Sequence, residues 1–221
     1  MNMRQLTVVL ALASACIFVA SCSSRGGPPP PVATDVLDRL LLSPAEINTA
    51  IGATGILVIG TGTAMSEDSA NIPDKDCRFN LSVAQASVYD GSGWIAARNQ
   101  YLSDSSSTHG VSQAVVSFPS ANDAARFFTA SAQRWQACSM RQFHYINPGQ
   151  PDTVWTVGPI AITNGTLSTT DTQVGAGGSA CQRALAVSNN VAIDVAVCAV
   201  NPAHDSVFNI VDQIAAKVAK Q

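Results

Sequence analysis

Two cysteines of this 221-residue chain lie at equal distances from an Asn-Asn pair, and no other feature constrains the fold as strongly. Residues 180–200 are apolar and β-branched, with Asn189 and Asn190 at their centre. Asparagine tolerates the positive φ that tight two-residue turns need, so this segment predicts a β-hairpin. In that register Cys181 faces Cys198 at a non-hydrogen-bonded pair, where Cα atoms are about 4.5 Å apart. Because a disulfide spans that distance, the hairpin predicts a Cys181–Cys198 bridge.

The N terminus predicts export. Residues 1–5 carry one positive charge, and the apolar run over 6–20 is too short to span a bilayer comfortably. The run ends in Val19-Ala20-Ser21-Cys22, which resembles the lipobox of bacterial lipoproteins. In that class of protein the cysteine thiol receives a diacylglyceryl group, and the leader is cut just before it. The alternative is an ordinary cleaved leader in which the cysteine is incidental.

We therefore expect three segments along the chain. A signal peptide covers 1–21, a lipidated Cys22 with a Pro/Gly-rich tether covers 22–34, and a folded domain covers 35–221. Pro28–Pro31 predicts a semi-rigid polyproline II spacer within the tether. Two or more acyl chains give a stable membrane anchor. The expected location is the outer, extracytoplasmic face of the cell membrane, with the membrane as a partner through the lipid anchor.

Export also favours a second disulfide. After the cysteine of the leader is lost and Cys22 is acylated, four cysteines remain, and an even number in an exported domain implies disulfides. The Cys181–Cys198 hairpin bridge leaves Cys77 to pair with Cys138. A zinc site is the alternative, but the chain has no Cys-x-x-Cys pair and no histidine near these cysteines.

Local signals predict one α+β domain with helices packed on an antiparallel sheet. Ser43-Pro44-Ala45-Glu46 is a capping box that begins a helix, and Ser120 caps a second helix that ends near Cys138. A final amphipathic helix is expected over about 202–218. The clearest strand signals lie over 56–63, 94–102, 111–118 and the two arms of the 180–200 segment.

Composition excludes several classes of function. The net charge is −3, from 12 Lys and Arg against 15 Asp and Glu, which lacks the basic footprint of a nucleic-acid-binding protein. No nucleophile elbow or metal-ligand motif is present, and His109, His144 and His204 are far apart. We therefore expect no enzyme, no cofactor and no metal. The alternative is a cell-envelope hydrolase whose Ser/His/Asp site assembles in space.

One strand carries the side chains of a candidate ligand site. Alternate residues of a strand share a face, which places Trp94, Arg98 and Gln100 together, and Gln113 of the next strand can join them. An aromatic wall with a few polar groups is typical of a small-ligand cleft. The guanidinium fork favours an anionic or polyol ligand. The alternative is a solvent-facing side of the sheet with Trp94 at its rim.

Several stretches together resemble one family. They are Leu40–Ile47, the spaced Trp94, Arg98 and Gln100, the run Ala114–Ala121 followed by Phe127-Phe128, Trp135 and Cys138, and the closing Cys181 and Cys198. Over about residues 37–219 the chain resembles the PknH-like extracellular sensor domains, which occur in mycobacterial receptor kinases and in lipoproteins that share the domain.

The resemblance implies a twisted antiparallel sheet with packed helices, two disulfides and a cleft for an unidentified ligand, and it implies no catalysis. No kinase domain or spanning helix follows Cys22 in this sequence. A lipid anchor in one leaflet cannot transmit a conformational change across the bilayer. We therefore expect a non-catalytic module that binds a small molecule or an envelope component, rather than a signalling receptor.

Overall fold

Nine strands form one antiparallel sheet in the computed structural model, which describes residues 29–80 and 82–221. The expected signal peptide, Cys22 and most of the tether lie outside the described residues. The strands are β1 Leu57–Gly62, β2 Ala96–Ser103, β3 His109–Ser117, β4 Gln142–Tyr145, β5 Thr153–Val157, β6 Ala161–Thr163, β7 Thr166–Gln173, β8 Ser179–Ser188 and β9 Val191–Val200. Their order in the sheet is β1-β2-β3-β9-β8-β7-β5-β4, with β6 beside β7.

Five α-helices pack on this sheet within the described part of the chain. The Ser43 capping box begins the second helix as predicted, and Gly52, with φ of 69°, ends it. The Ser120 side chain accepts from the backbone N–H of Asp123 and caps the fourth. The helices are α1 Leu37–Leu40, α2 Pro44–Ile51, α3 Ala86–Tyr89, α4 Ala121–Gln136 and α5 Ser206–Val218, with short 3-10 helices at Thr34–Val36 and Lys75–Cys77.

The predicted hairpin and its register are confirmed. Cys181 pairs with Cys198 across β8 and β9, and their Cα atoms are 4.0 Å apart. Asn189 takes the positive φ, 51°, that the turn needs. The second disulfide joins Cys77 to Cys138, with Cα atoms 5.2 Å apart. Because all four sulfurs are consumed in disulfides, the zinc alternative for these cysteines is excluded.

Helices cover both faces of the sheet. The face covered by α1, α2 and α5, here called the α5 face, is filled by aliphatic side chains such as Val115, Ile193 and Ile214. The face covered by α4 and the segment 72–89, here called the α4 face, buries aromatic side chains such as Phe79 and Trp135. Successive residues of a strand point to opposite faces, so β3 and β9 contribute to both cores.

The chain enters the domain along the α5 face. The buried Asn190 side chain accepts from Val32 N at 2.6 Å and donates to Val32 O at 3.2 Å and to Phe118 O at 2.8 Å. Asn189 donates to Pro30 O at 2.7 Å. The turn of the β8–β9 hairpin therefore holds the end of the tether. None of the helices within residues 29–80 and 82–221 has the length and apolar character needed to cross a bilayer.

Candidate functional site

The polar side chains predicted to line a ligand site contact the N-terminal segment of the same chain. The Arg98 Nε atom donates to Asp38 Oδ2 of α1 at 2.9 Å. Gln113 is fully buried, accepts from Leu42 N at 2.9 Å and donates to Leu42 O at 2.8 Å. It also donates to Gln100 Oε1 at 3.0 Å. Since α1 lies over β2 and β3, these groups fasten the N-terminal segment to the sheet.

Trp94 does not lie with the other three residues. It packs against the core of the α4 face, whereas Ala96, two residues later, packs against the core of the α5 face. Strand β2 begins only at Ala96, so the alternation of the strand does not extend back to the tryptophan. The prediction that Trp94, Arg98, Gln100 and Gln113 share one cleft is therefore wrong.

A cleft of about 340 Å³ opens on the α4 face instead. It lies between the segment around the Lys75–Cys77 helix, α3 and the C-terminal half of α4. Its volume is within the usual range of small-molecule sites. The lining residues are Lys75, Asp76, Arg78, Phe79, Ser87, Val88, Ser131, Arg134, Trp135 and Ala137.

Helical spacing and one disulfide position these side chains. Ser131, Arg134 and Trp135 stand at i, i+3 and i+4 of α4, which places them on one side of the helix. The Cys77–Cys138 disulfide joins the facing walls, because Cys77 is next to two lining residues and Cys138 follows the lining Ala137. The crosslink therefore fixes the separation of the two walls at this end of the cleft.

The cleft combines an aromatic wall with charged side chains. The rings of Phe79 and Trp135 stack with centroids 4.2 Å apart and an interplanar angle of 11°. Three lining side chains are cationic and one, Asp76, is anionic. The Asp76 carboxylate is already paired with Arg141 Nη1 at 3.2 Å. The uncompensated charge at the cleft is therefore positive.

A buried ion pair lies behind the aromatic wall. Arg183 Nη1 and Asp194 Oδ1 are 2.7 Å apart, and both side chains are almost fully buried. Tyr89 Oη donates to Asp194 Oδ2 at 3.2 Å, and Ala84 N donates to the same oxygen at 2.9 Å. Burial, together with the Asp194 charge, holds the pKa of Tyr89 well above its usual value. This hydroxyl therefore stays protonated and remains a donor.

The Arg183 guanidinium also holds one wall of the cleft on the sheet. Its Nε atom donates to Phe79 O at 2.9 Å, and its Nη2 atom donates to Ser82 O at 3.2 Å. The guanidinium carbon lies 5.6 Å from the centre of the Trp135 ring, within the range of a cation–π contact. One side chain of β8 thus links the segment at Phe79–Ser82 to the wall formed by α4.

Polar atoms near this ion pair lack hydrogen-bond partners within the described residues. They include both amide atoms of Gln85 and the indole nitrogen of Trp135. A chamber of about 10 Å³ lies beside them and shares Phe79, Val88 and Trp135 with the cleft. That volume is enough for about one water molecule. Buried polar atoms usually have partners, and a water molecule in this chamber would supply one for them.

His109 does not have the arrangement of a catalytic triad histidine. His109 Nδ1 lies 2.7 Å from Asp104 Oδ2, but the Thr108 hydroxyl contacts the same ring nitrogen at 3.1 Å. A triad needs its nucleophile at the other nitrogen. Hydrogen bonds from Thr108 and His109 hold the pKa of Asp104 well below its usual range. None of these residues lines the cleft.

Sequence reasoning missed the cleft because the segment 72–89 has no periodic pattern. One signal was available in the sequence. Arg183 and Asp194 are the only charged residues in the otherwise apolar hairpin over 180–200. Charged residues are almost never buried unless they are paired, so two of opposite sign within a predicted core hairpin indicate a buried pair.

Comparison with known proteins places this fold in a defined family. The family model described as PknH-like extracellular domain matches residues 32–217. The serine/threonine-protein kinases PknH of Mycobacterium bovis and Mycobacterium tuberculosis are each 33% identical to the chain over 213 residues, or 96% of it. The match covers only 35% and 33% of those two kinases, so the chain spans about a third of their length.

A solved structure shares the architecture. The crystal structure of the extracellular domain of PknH from Mycobacterium tuberculosis superimposes with a TM-score of 0.82 at 32% sequence identity. The superposition covers 87% of this chain and 99% of that domain. The twisted antiparallel sheet with packed helices and two disulfides, expected from the sequence, is confirmed.

Proposed function

Because the chain belongs to the family of PknH-like extracellular domains, we propose that it is a non-catalytic binding domain held by a lipid anchor at the outer face of the cell membrane. The cleft on the α4 face is its ligand-binding site. The observation that carries this proposal is a cleft of small-molecule size whose walls are joined by a disulfide and backed by unpartnered polar atoms.

The position of the tether supports this arrangement. Eight residue steps, with residues 23–29 between, separate Cys22 from Pro30, which is held at the β8–β9 turn. A polyproline-like chain of that length spans about 25 Å. Phe118 N donates to Asn190 O at 2.8 Å, so α4 begins near this turn. The cleft lies toward the far end of α4, about 20 Å along the helix axis from the end near which the tether is held.

The anchor is tested by changing Cys22→Ala. We expect the wild-type chain to enter the detergent phase and the variant to remain uncleaved or to be released, because acyl chains supply the membrane affinity. Detergent-phase partitioning of both proteins from the same cells measures this. Equal partitioning of the mature forms would contradict the lipid anchor.

The binding site is tested by filling the cleft. Ser87 is an exposed lining residue on α3, so Ser87→Trp occupies the cleft without disturbing a buried side chain. Ala125→Trp on the exposed side of α4 is the matched control. A thermal-shift screen of the full chain against neutral and charged envelope metabolites should find compounds that raise the unfolding temperature of wild type and control but not of Ser87→Trp. Compounds that stabilise all three proteins equally would place the site elsewhere.

A further inference from the structure

We infer that the ligand of this cleft carries a phosphate group held by Arg78 and Arg134, next to an apolar part packed on Phe79 and Val88. The inference rests on the proposed function and narrows the chemical class of the ligand. Nothing in the sequence pattern indicates this, because the three cations of the cleft come from two distant segments of the chain.

The distribution of ion pairs indicates an anionic ligand. The chain has 12 Lys and Arg residues, and ten of them, all except Arg4 and Arg25, lie in the described residues. All 15 Asp and Glu residues lie there too. Five of the ten form ion pairs with carboxylates. Of the five described Lys and Arg residues without an ion pair, three line the cleft: Lys75, Arg78 and Arg134. The net charge of the whole chain is −3, so this cluster is not a consequence of a basic composition.

Neighbouring carboxylates do not cancel this charge. Asp76 is paired with Arg141, and Asp123 is paired with Arg126 on the outer side of α4. Glu67 lies within the electrostatic influence of Arg78, but its pKa is lowered first by hydrogen bonds from Ser69. Asp90 lines a separate surface depression together with Arg134. A negative charge entering the cleft therefore meets more cation than carboxylate.

The half-buried Arg78 side chain is oriented for recognition. Its Nε atom donates to Ile72 O at 3.1 Å, which fixes the plane of the guanidinium and leaves its two terminal nitrogens for a ligand. A guanidinium fork matches the oxygens of phosphate in a bidentate arrangement. A phosphomonoester carries about two charges at neutral pH, as does a dicarboxylate, whereas a monocarboxylate carries one. The two guanidinium forks and the Lys75 ammonium together favour a phosphate over a singly charged anion.

The apolar lining of the cleft indicates the chemistry of the part of the ligand beyond its phosphate. Phe79, Val88 and Trp135 supply the apolar lining of the cleft, and the half-buried Val88 is the most exposed of the three, because the Phe79 and Trp135 side chains lie almost entirely in the core. Contact with this lining excludes water and strengthens the charge-assisted hydrogen bonds. A free inorganic anion would leave the lining in contact with water, so the ligand has an apolar or ring portion joined to its phosphate.

Benzyl phosphate is the probe for this inference, and benzyl alcohol is its uncharged counterpart. Arg78→Gln and Arg134→Gln each remove one cation of the cleft, while Arg126→Gln removes an exposed cation of the same helix that does not line it. We expect benzyl phosphate to bind the full chain and to bind each cleft variant at least about tenfold more weakly, because each variant loses a charge-assisted hydrogen bond to the phosphate. Arg126→Gln should bind within about twofold of wild type. Isothermal titration at low and high salt measures these affinities.

Two further probes distinguish a soluble phosphate ester from a lipid headgroup. Glucose 6-phosphate represents the first source, and phosphatidylcholine vesicles with and without phosphatidate represent the second. Either source supports the inference if binding is lost in Arg78→Gln and Arg134→Gln but not in Arg126→Gln. Binding of phosphate probes that is unchanged in both cleft variants, or no binding of any of them, would overturn it.

The outcome also separates this inference from the proposed function. If benzyl alcohol binds as tightly as benzyl phosphate and Ser87→Trp abolishes binding of both, the cleft is a ligand site but its ligand needs no phosphate. In that case the proposed function stands and the phosphate inference fails. If phosphate probes bind but Ser87→Trp leaves their affinity unchanged, both are contradicted.

Discussion

Helices cover both faces of the sheet, but the buried polar side chains of the two faces differ in their hydrogen-bond partners. On the α5 face each of the buried amides Gln113, Gln182 and Asn190 has backbone partners. On the α4 face Gln85, Trp135 and Asp171 have side-chain nitrogen or oxygen atoms with no partner in the described residues.

This difference indicates which face has a structural role and which face binds a ligand. An unsatisfied buried polar group costs about 1–3 kcal/mol, so such atoms need a partner from outside the chain, either water or a ligand. The α5 face holds the N-terminal segment through amides whose hydrogen bonds are made within the chain. The α4 face holds a buried ion pair, a small chamber and an open cleft. We therefore assign ligand binding to the α4 face and attachment of the tether to the α5 face.

The largest expected effect comes from breaking the buried ion pair. Arg183→Met leaves the Asp194 carboxylate buried without its partner and releases Phe79 O and Ser82 O. Removing one member of such a pair costs about 3–5 kcal/mol, and it should also weaken ligand binding at the cleft. Denaturant unfolding measures the change in the free energy of unfolding.

The double variant Arg183→Met, Asp194→Leu is the matched control for this prediction. It replaces both charges by apolar groups and should recover most of the lost stability, because burying an ion pair costs desolvation energy. A single variant that unfolds with the same free energy as wild type would mean that the segment at Phe79–Ser82 is held by other contacts.

A smaller effect is expected from the pH dependence of Asp171. Burial raises the pKa of this carboxyl group to about 8, while the Arg183 charge opposes the shift. The folded state therefore binds a proton that the unfolded state releases above about pH 4. Stability should fall as the pH rises from about 4 to about 8 and then level off.

Asp171→Asn removes this titration and should remain nearly flat over the same range. The Asp104 group does not interfere, because its lowered pKa lies below that window. Thermal or denaturant unfolding at a series of pH values compares the two proteins. Parallel curves for wild type and variant would show that Asp171 is solvated and charged in the folded protein.

The smallest effect is expected on the α5 face. Arg98→Ala removes the pair with Asp38, whose side chain is 67% exposed, so the loss should be about 0.5 kcal/mol or less. Ligand binding at the cleft should be unchanged, since Arg98 lies on the opposite side of the sheet. Titration with benzyl phosphate and unfolding in denaturant test both parts. A tenfold loss of affinity in this variant would return the binding site to β2.

How much the sequence could predict depended on whether the interactions were local. The β8–β9 register followed from the Asn189-Asn190 turn and its flanking cysteines, and α2 followed from the Ser43 capping box, because both signals lie within a few residues of the structure they specify. The orientation predicted for Trp94 was wrong because β2 begins only at Ala96, so the alternation of the strand does not reach the tryptophan.

The cleft could not be predicted because it depends on contacts between distant residues. Arg183 reaches Phe79 across 104 positions in the sequence, and Asp194 reaches Ala84 across 110. Ala84 has φ of 48°, an unusual conformation for alanine that the bond to Asp194 helps to hold. Local propensity carries no information about such a segment, since its shape is set by the sheet beneath it.

Amide hydrogen exchange of the full chain with and without benzyl phosphate tests the assignment of function to the α4 face most directly. We expect slower exchange on binding in residues 72–89 and in the C-terminal half of α4, with no change in residues 32–42, β2 or β3. Protection confined to residues 32–42 and β2, with none in residues 72–89, would contradict it.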